Sequence, residues 1–124
     1  MQFELTSEQE LIRQTVREFA DKHVRPIASE IDREKRWPAE NVPRMAELGL
    51  MGMNAPAEWG GAGADMVSYA VTIEELSRAC ASHGVICSVN NSLYLWPILA
   101  YGNEAQKQKF GTPFARGEKL GAYA

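Results

Sequence analysis

Cys80 and His83 stand three residues apart, a spacing that on a helix lets a thiol and an imidazole meet as nucleophile and base. Nothing near them supplies an orienting third group or the positive charge that favours thiolate, so a buried small thiol and a helix-ending histidine are expected instead. Gly61-Ala62-Gly63 precedes a helix, where backbone amides favour anions, but Met66 occupies the place of the third glycine and Asp65 would repel a phosphate. That segment reads as a turn and cap. Glu74 and Glu75 are adjacent, about 100° apart around a helix, which suits a solvated face with Arg78 rather than paired acid–base work. Two histidines and two cysteines match no metal-ligand spacing, so no metal is expected.

The stretch from Val85 to Leu99 holds no charged residue. It suits either a central core helix or the wall of an apolar pocket. In the second reading Val85, Ile86, Val89, Asn90 and Leu93 form the wall, since 86, 89, 90 and 93 share one helical face. Asn90-Asn91-Ser92 then needs hydrogen-bond partners, from a closing domain or a ligand.

The elements that must position these residues are helices. Ile12, Val16, Phe19, His23, Ile27 and Ile31 form one stripe at helical spacing, opened by a capping box at Thr6-x-x-Gln9 or Ser7-x-x-Glu10. Pro26 should bend or break this helix near Val24 and Arg25. A short helix fits Ala39 to Leu48 with Gly49 ending it, and a glycine-rich loop follows over 52–64. Asp65 caps a third helix, with a break expected at Ser82-His83-Gly84. The fourth runs from Val85 to Tyr101 with a bend at Pro97, and the fifth from Glu104 to Phe114. The expected fold is all-α, an up-and-down type bundle of about five helices, with the start of a β-strand from Lys119 to Ala124. That last segment ends on apolar residues and reads as a chain cut before its next domain.

Composition narrows the function classes. The chain has 124 residues, 45% hydrophobic and 23% charged, as in ordinary globular domains. A net charge of −3 offers no basic footprint for nucleic acid, and no apolar run reaches a membrane span. The start at Met1-Gln2-Phe3-Glu4 lacks the basic residues and apolar run of a signal peptide. Few cysteines without CxxC spacing fit a reducing compartment. A cytoplasmic, bacterial-type location without membrane contact is expected.

Four stretches together resemble one family. They are Leu5-Thr-Ser-Glu-Gln-Glu with Val16-Arg-Glu-Phe-Ala20; Glu47-Leu-Gly-Leu-Met-Gly52 with Pro56-Ala-Glu-Trp-Gly-Gly-Ala-Gly63; Glu74-Glu-Leu-Ser-Arg78; and Gly84-Val-Ile-Cys-Ser-Val-Asn-Asn-Ser-Leu-Tyr-Leu95 with Tyr101-Gly-Asn-Glu-Ala-Gln-Lys107. In this order they resemble the N-terminal helical domain of the acyl-CoA dehydrogenases, nearest to the short-chain (butyryl-CoA) members. The resemblance implies residues 1–118 as that domain and 119–124 as the start of a middle β-domain. It implies a flavoprotein homo-oligomer, a tetramer, that binds FAD, oxidises acyl-CoA to 2,3-enoyl-CoA and commonly passes electrons to electron-transferring flavoprotein. A glutamate from a C-terminal region, absent from this chain, removes the α-proton while the β-hydride passes to the flavin.

Tyr123 and Ala124 match the start of the family's flavin-contacting strand, and the charge-free helix would supply the acyl-tail wall. Branched Val85, Ile86 and Val89 would end the pocket early and favour short acyl chains. Trp96 departs from the small residue common in short-chain members. Two alternatives keep the fold: a non-catalytic helical interaction module, and an acyl-CoA oxidase-type flavoenzyme.

Overall fold

The computed structural model describes residues 3–124; the first two positions of the acidic start, Met1 and Gln2, lie outside them. Among the described residues there are five helical runs, joined by turns and two short 3₁₀ segments. The first begins with α1 (Ser7–Phe19) and continues through a π-helical turn, Ala20–Val24, and a 3₁₀ turn, Arg25–Ile27, into α2 (Ala28–Glu34). The second is α3 (Val42–Glu47) and the third α4 (Met66–Ala79). The fourth joins α5 (Ala81–Ser88), a π-helical segment Val89–Leu95 and α6 (Trp96–Tyr101). The fifth joins α7 (Glu104–Gln106), a π turn Lys107–Gly111 and α8 (Thr112–Ala115).

Local chemistry explains the ends. Thr6 Oγ1 accepts from the Gln9 amide at 3.2 Å while Gln9 Oε1 accepts from the Thr6 amide at 3.0 Å, completing the first of the two expected capping boxes. Gln9 Nε2 also donates to Asp65 Oδ2 at 3.0 Å, and Asp65 Oδ1 accepts from the Ser68 amide at 2.7 Å. The starts of α1 and α4 are thereby tied side by side. Gly49 ends α3 at φ +75°, a conformation that costs glycine little.

The prolines widen the helices rather than break them. Three internal prolines, Pro26, Pro97 and Pro113, are each preceded by a π turn. Immediately before each proline the amide reaches back five residues: Arg25 to Ala20, Trp96 to Asn91, Thr112 to Lys107. A proline ring crowds the carbonyl four residues back and leaves it without a donor, and the wider turn relieves the crowding.

The core lies between α1, α4, α5 and the segment 45–53. Val16, Phe19, Ala20 and Val24 pack against Leu76, Met45, Met51 and Cys87. A smaller cluster of Ala55, Leu95 and Ala115, flanked by Tyr94 and Phe114, joins the last helical run to the glycine loop. That loop is ordered by its own backbone: the amides of Gly61, Ala62, Gly63 and Ala64 bond to the carbonyls of Pro56, Gly52, Ala55 and Met53.

Several expectations are corrected. The third helix breaks at Cys80, in extended backbone, not at Ser82-His83-Gly84, so His83 lies inside α5. The second helix starts at Val42, because Pro38 to Asn41 are used in a turn that precedes it. Glu75 is buried, not solvated: Arg17 and Arg78 both hydrogen-bond its carboxylate, and Arg78 also reaches Asp21 at 3.0 Å. Those guanidinium groups hold the Glu75 carboxyl below its ordinary range. Residues 120–124 take no regular structure, since a strand needs a neighbour to pair with and none is among the described residues.

Candidate functional site

The thiol–imidazole pair set aside on sequence grounds is not formed, and Cys80 is half-buried rather than buried, standing at the extended break before α5 while His83 turns to another partner. His83 is fully buried and its Nε2 lies 3.1 Å from Asn41 Nδ2, whose other bond, at 2.8 Å, goes to the His23 carbonyl. An amide nitrogen donates, so Nε2 must be the acceptor and the ring is neutral. Burial pushes the His83 pKa down, opposed weakly by Glu40. The buried Cys87 thiol is pushed up to about 12, which removes it as a nucleophile at neutral pH. No group of three potential metal ligands occurs among the described residues.

The neutral, buried imidazole has a measurable consequence. In the unfolded chain His83 takes up a proton at ordinary imidazole pH, and in the folded chain it does so only lower. Stability is therefore full above that range and falls as pH drops through it. His23, lowered by burial and by Arg44 and Lys22, acts in the same direction. The urea midpoint should fall between about pH 7.5 and about pH 5.5, and His83→Gln should reduce that fall. An unchanged slope in the variant would remove His83 as its source.

The charge-free helix divides the expected wall into three parts. Val85 and Ile86 line an open groove of about 630 Å³ together with Ile31, Trp37 and Pro38, and with the charged Asp32, Lys35 and Arg36. Val85 is 58% exposed and Leu93 50% exposed, with half-buried Val89 between them in sequence, so an aliphatic ridge continues outward from the groove. Asn90 does not belong to that surface. It is fully buried and donates through Nδ2 to the carbonyls of Met51 at 2.6 Å and Phe114 at 3.1 Å. The expectation that a ligand or closing domain satisfies Asn90 and Asn91 is likewise corrected, because both are satisfied by this chain. Asn91 accepts from the Met53 amide at 2.7 Å and donates to the carbonyls of Leu50 and Cys87 at 2.8 and 2.9 Å.

Trp96 lies away from the groove. It is 59% exposed and borders a separate cavity of about 290 Å³ beside Met66, Tyr69 and Leu99. At the end of the described chain Tyr123 is 78% exposed. Sequence reasoning missed the roles of Asn41, Asn91 and Glu75; the one local signal was the pair of carboxamides inside a charge-free helix.

A helical domain with an open groove beside an aliphatic ridge matches a known domain. Residues 6–118 match the family model described as Acyl-CoA dehydrogenase, N-terminal domain. The chain belongs to that family. This acyl-CoA dehydrogenase domain is 53% identical over 121 residues to the mitochondrial short-chain specific acyl-CoA dehydrogenase of Bos taurus, covering 98% of this chain and 29% of the relative. It is 53% identical over 123 residues to the short-chain specific acyl-CoA dehydrogenase of Clostridium acetobutylicum, covering 99% of this chain and 32% of the relative. Among solved structures, a chain in that of the electron transferring flavoprotein of Acidaminococcus fermentans superposes with a TM-score of 0.92 at 38% identity, over 97% of this chain and 32% of that one. The acyl-CoA dehydrogenase domain thus spans about a third of the length of the relatives it matches. No helix among the described residues is long and apolar enough to cross a membrane.

Proposed function

We propose that this chain is the part of a flavin-dependent, short-chain acyl-CoA dehydrogenase that shapes the acyl-chain pocket, with residues 1–118 as the helical domain and 119–124 leading into a β-domain. The observation that carries the reading is the uncharged ridge Val85–Val89–Leu93 beside a groove that Ile86 helps line. Aliphatic side chains left in water on an otherwise well-packed helix suit an apolar ligand. Names of the relatives, short-chain specific acyl-CoA dehydrogenases, agree with it. The chain alone carries no catalytic base; its part is to bind the acyl tail and keep water from the reacting carbons, which raises the basicity of a carboxylate supplied elsewhere.

FAD is the cofactor of this reading and would accept the hydride removed from the acyl chain. Tyr123 and Ala124, which resemble the start of the family's flavin-contacting strand, are the residues of this chain proposed at its edge. Electron-transferring flavoprotein is the proposed electron acceptor, supported by the likeness to a chain in the Acidaminococcus structure. A homo-oligomer, a tetramer, is proposed with it.

Chain length is read by where the pocket ends, since each buried methylene is worth about 0.8 kcal/mol. Val89→Gly in the full-length enzyme removes a branched stop. The ratio of kcat/KM for an eight-carbon over a four-carbon acyl-CoA should rise about tenfold. An unchanged chain-length profile would remove Val89 from the wall, and a colourless full-length protein would remove the flavoenzyme reading.

A further inference from the structure

We infer that Asn90 is a positioning residue: its buried carboxamide locks Gly121, and with it the approach of Tyr123 and Ala124, onto the helix that carries the Val85–Val89–Leu93 ridge. The inference rests on the flavin-contact reading of Tyr123 and Ala124 given above.

Asn90 Oδ1 accepts from the Gly121 amide at 2.8 Å, while its Nδ2 holds the Met51 and Phe114 carbonyls. Both amide hydrogens and the oxygen are thus engaged by three different parts of the chain. Gly121 fits because it has no side chain: a Cβ there would lie 2.6 Å from Tyr94 Cδ2 and closer still to other ring atoms. The Tyr94 ring itself packs at a 38° tilt against Phe114, with centroids 4.3 Å apart. Asn90, Tyr94 and Phe114 therefore form a slot that accepts glycine backbone in one register.

Gly121 is buried, whereas residues 122–124 are exposed and bonded to nothing among the described residues. It is the last point at which the chain is held before Tyr123. Two residues of extended chain span at most about 7 Å, so the direction set at Gly121 decides where Tyr123 is offered. Neighbouring positions of one helical segment then serve two ends: Val89 the acyl wall, Asn90 the flavin-side segment. This is a role for Asn90 distinct from lining the acyl pocket.

The test uses the full-length protein carrying this chain, with two readouts: amide hydrogen exchange of residues 119–124, and the rate at which bound flavin is released. Asn90→Ala should speed both roughly tenfold, the scale of one or two lost buried hydrogen bonds. Gly121→Ala, which leaves Asn90 intact but collides with Tyr94, should do the same and serves if Asn90→Ala does not fold. Leu76→Ala, a core truncation distant in sequence from the slot, is the control for general destabilisation. At temperatures where circular dichroism shows the fold intact it should leave both rates within about twofold.

Wild-type exchange in both slot variants would overturn the inference. So would flavin release accelerated as strongly by Leu76→Ala as by Asn90→Ala. A shifted acyl-chain optimum in Asn90→Ala with normal exchange would return Asn90 to the wall and overturn it as well. If the wild-type protein holds no flavin, the functional reading fails separately and the coupling to flavin with it, while the exchange data still decide whether the slot holds Gly121.

Discussion

Replacing Gly52 by alanine should destabilise the domain by about 3 kcal/mol, the upper end of what overpacking costs. Gly52 closes the 3₁₀ turn Leu50–Gly52 directly under α8. An added Cβ would stand 2.8 Å from Ala115 Cα, 2.9 Å from its carbonyl carbon and closer still to the carbonyl oxygen. These are backbone atoms, so no rotamer change relieves the clash, and α8 or the turn must move. Moving the turn also strains the bond from the Ala62 amide to the Gly52 carbonyl, which ties the glycine loop to the core. Gly63→Ala gives the contrast. Gly63 has φ +62° with open space around its Cβ position, so alanine there meets only backbone strain, about 1 kcal/mol. Urea denaturation of both variants checks the pair. Equal losses would mean that the approach of the turn to α8 is not tight.

Asn91→Leu should cost about 3 kcal/mol as well, through hydrogen bonds rather than sterics. Leucine keeps the same branched heavy-atom skeleton, so the main loss is the carboxamide, with some overpacking from its two bulkier methyls. The buried Met53 amide is then left without an acceptor, and the carbonyls of Leu50 and Cys87 lose their Asn91 donor. Leu50 keeps a weaker bond from Cys87 Sγ at 3.2 Å, which limits the loss there. Ser92→Leu is the comparison one residue on. Ser92 is exposed and bonds only back to the Ser88 carbonyl, so its replacement should stay within about 0.5 kcal/mol. A small effect of Asn91→Leu on the denaturation midpoint would mean that water replaces the carboxamide.

The parts of the fold legible beforehand are those set by neighbours in sequence. The capping box at Thr6, the cap at Asp65 and the stop at Gly49 each join residues within a turn, where type and spacing suffice. The apolar stripe of the first helical run is legible for the same reason, and Val16 and Phe19 in α1 and Ile31 in α2 are buried as it requires. Charge gave a poorer guide. Glu75 looked solvated because its identity alone cannot show Arg17 waiting 58 residues away. His83 looked like a helix end because its partner Asn41 is 42 residues distant.

The candidate wall shows the same divide in one segment. Placing Val85, Ile86, Val89, Asn90 and Leu93 together assumed regular α spacing. The π turns before Pro97 change the angular spacing between residues, and Asn90 and Asn91 both turn inward as neighbours.

By itself the sequence determined an all-α domain, its caps, its charge-free helix and, through ordered motifs, its family resemblance. These follow from local hydrogen bonding and periodicity, which act over a few residues. Only the tertiary structure decided which polar groups are interior. Whether Glu75, His83, Asn90 or Asn91 meets water or a partner depends on segments brought together by packing, and burial makes each partner obligatory.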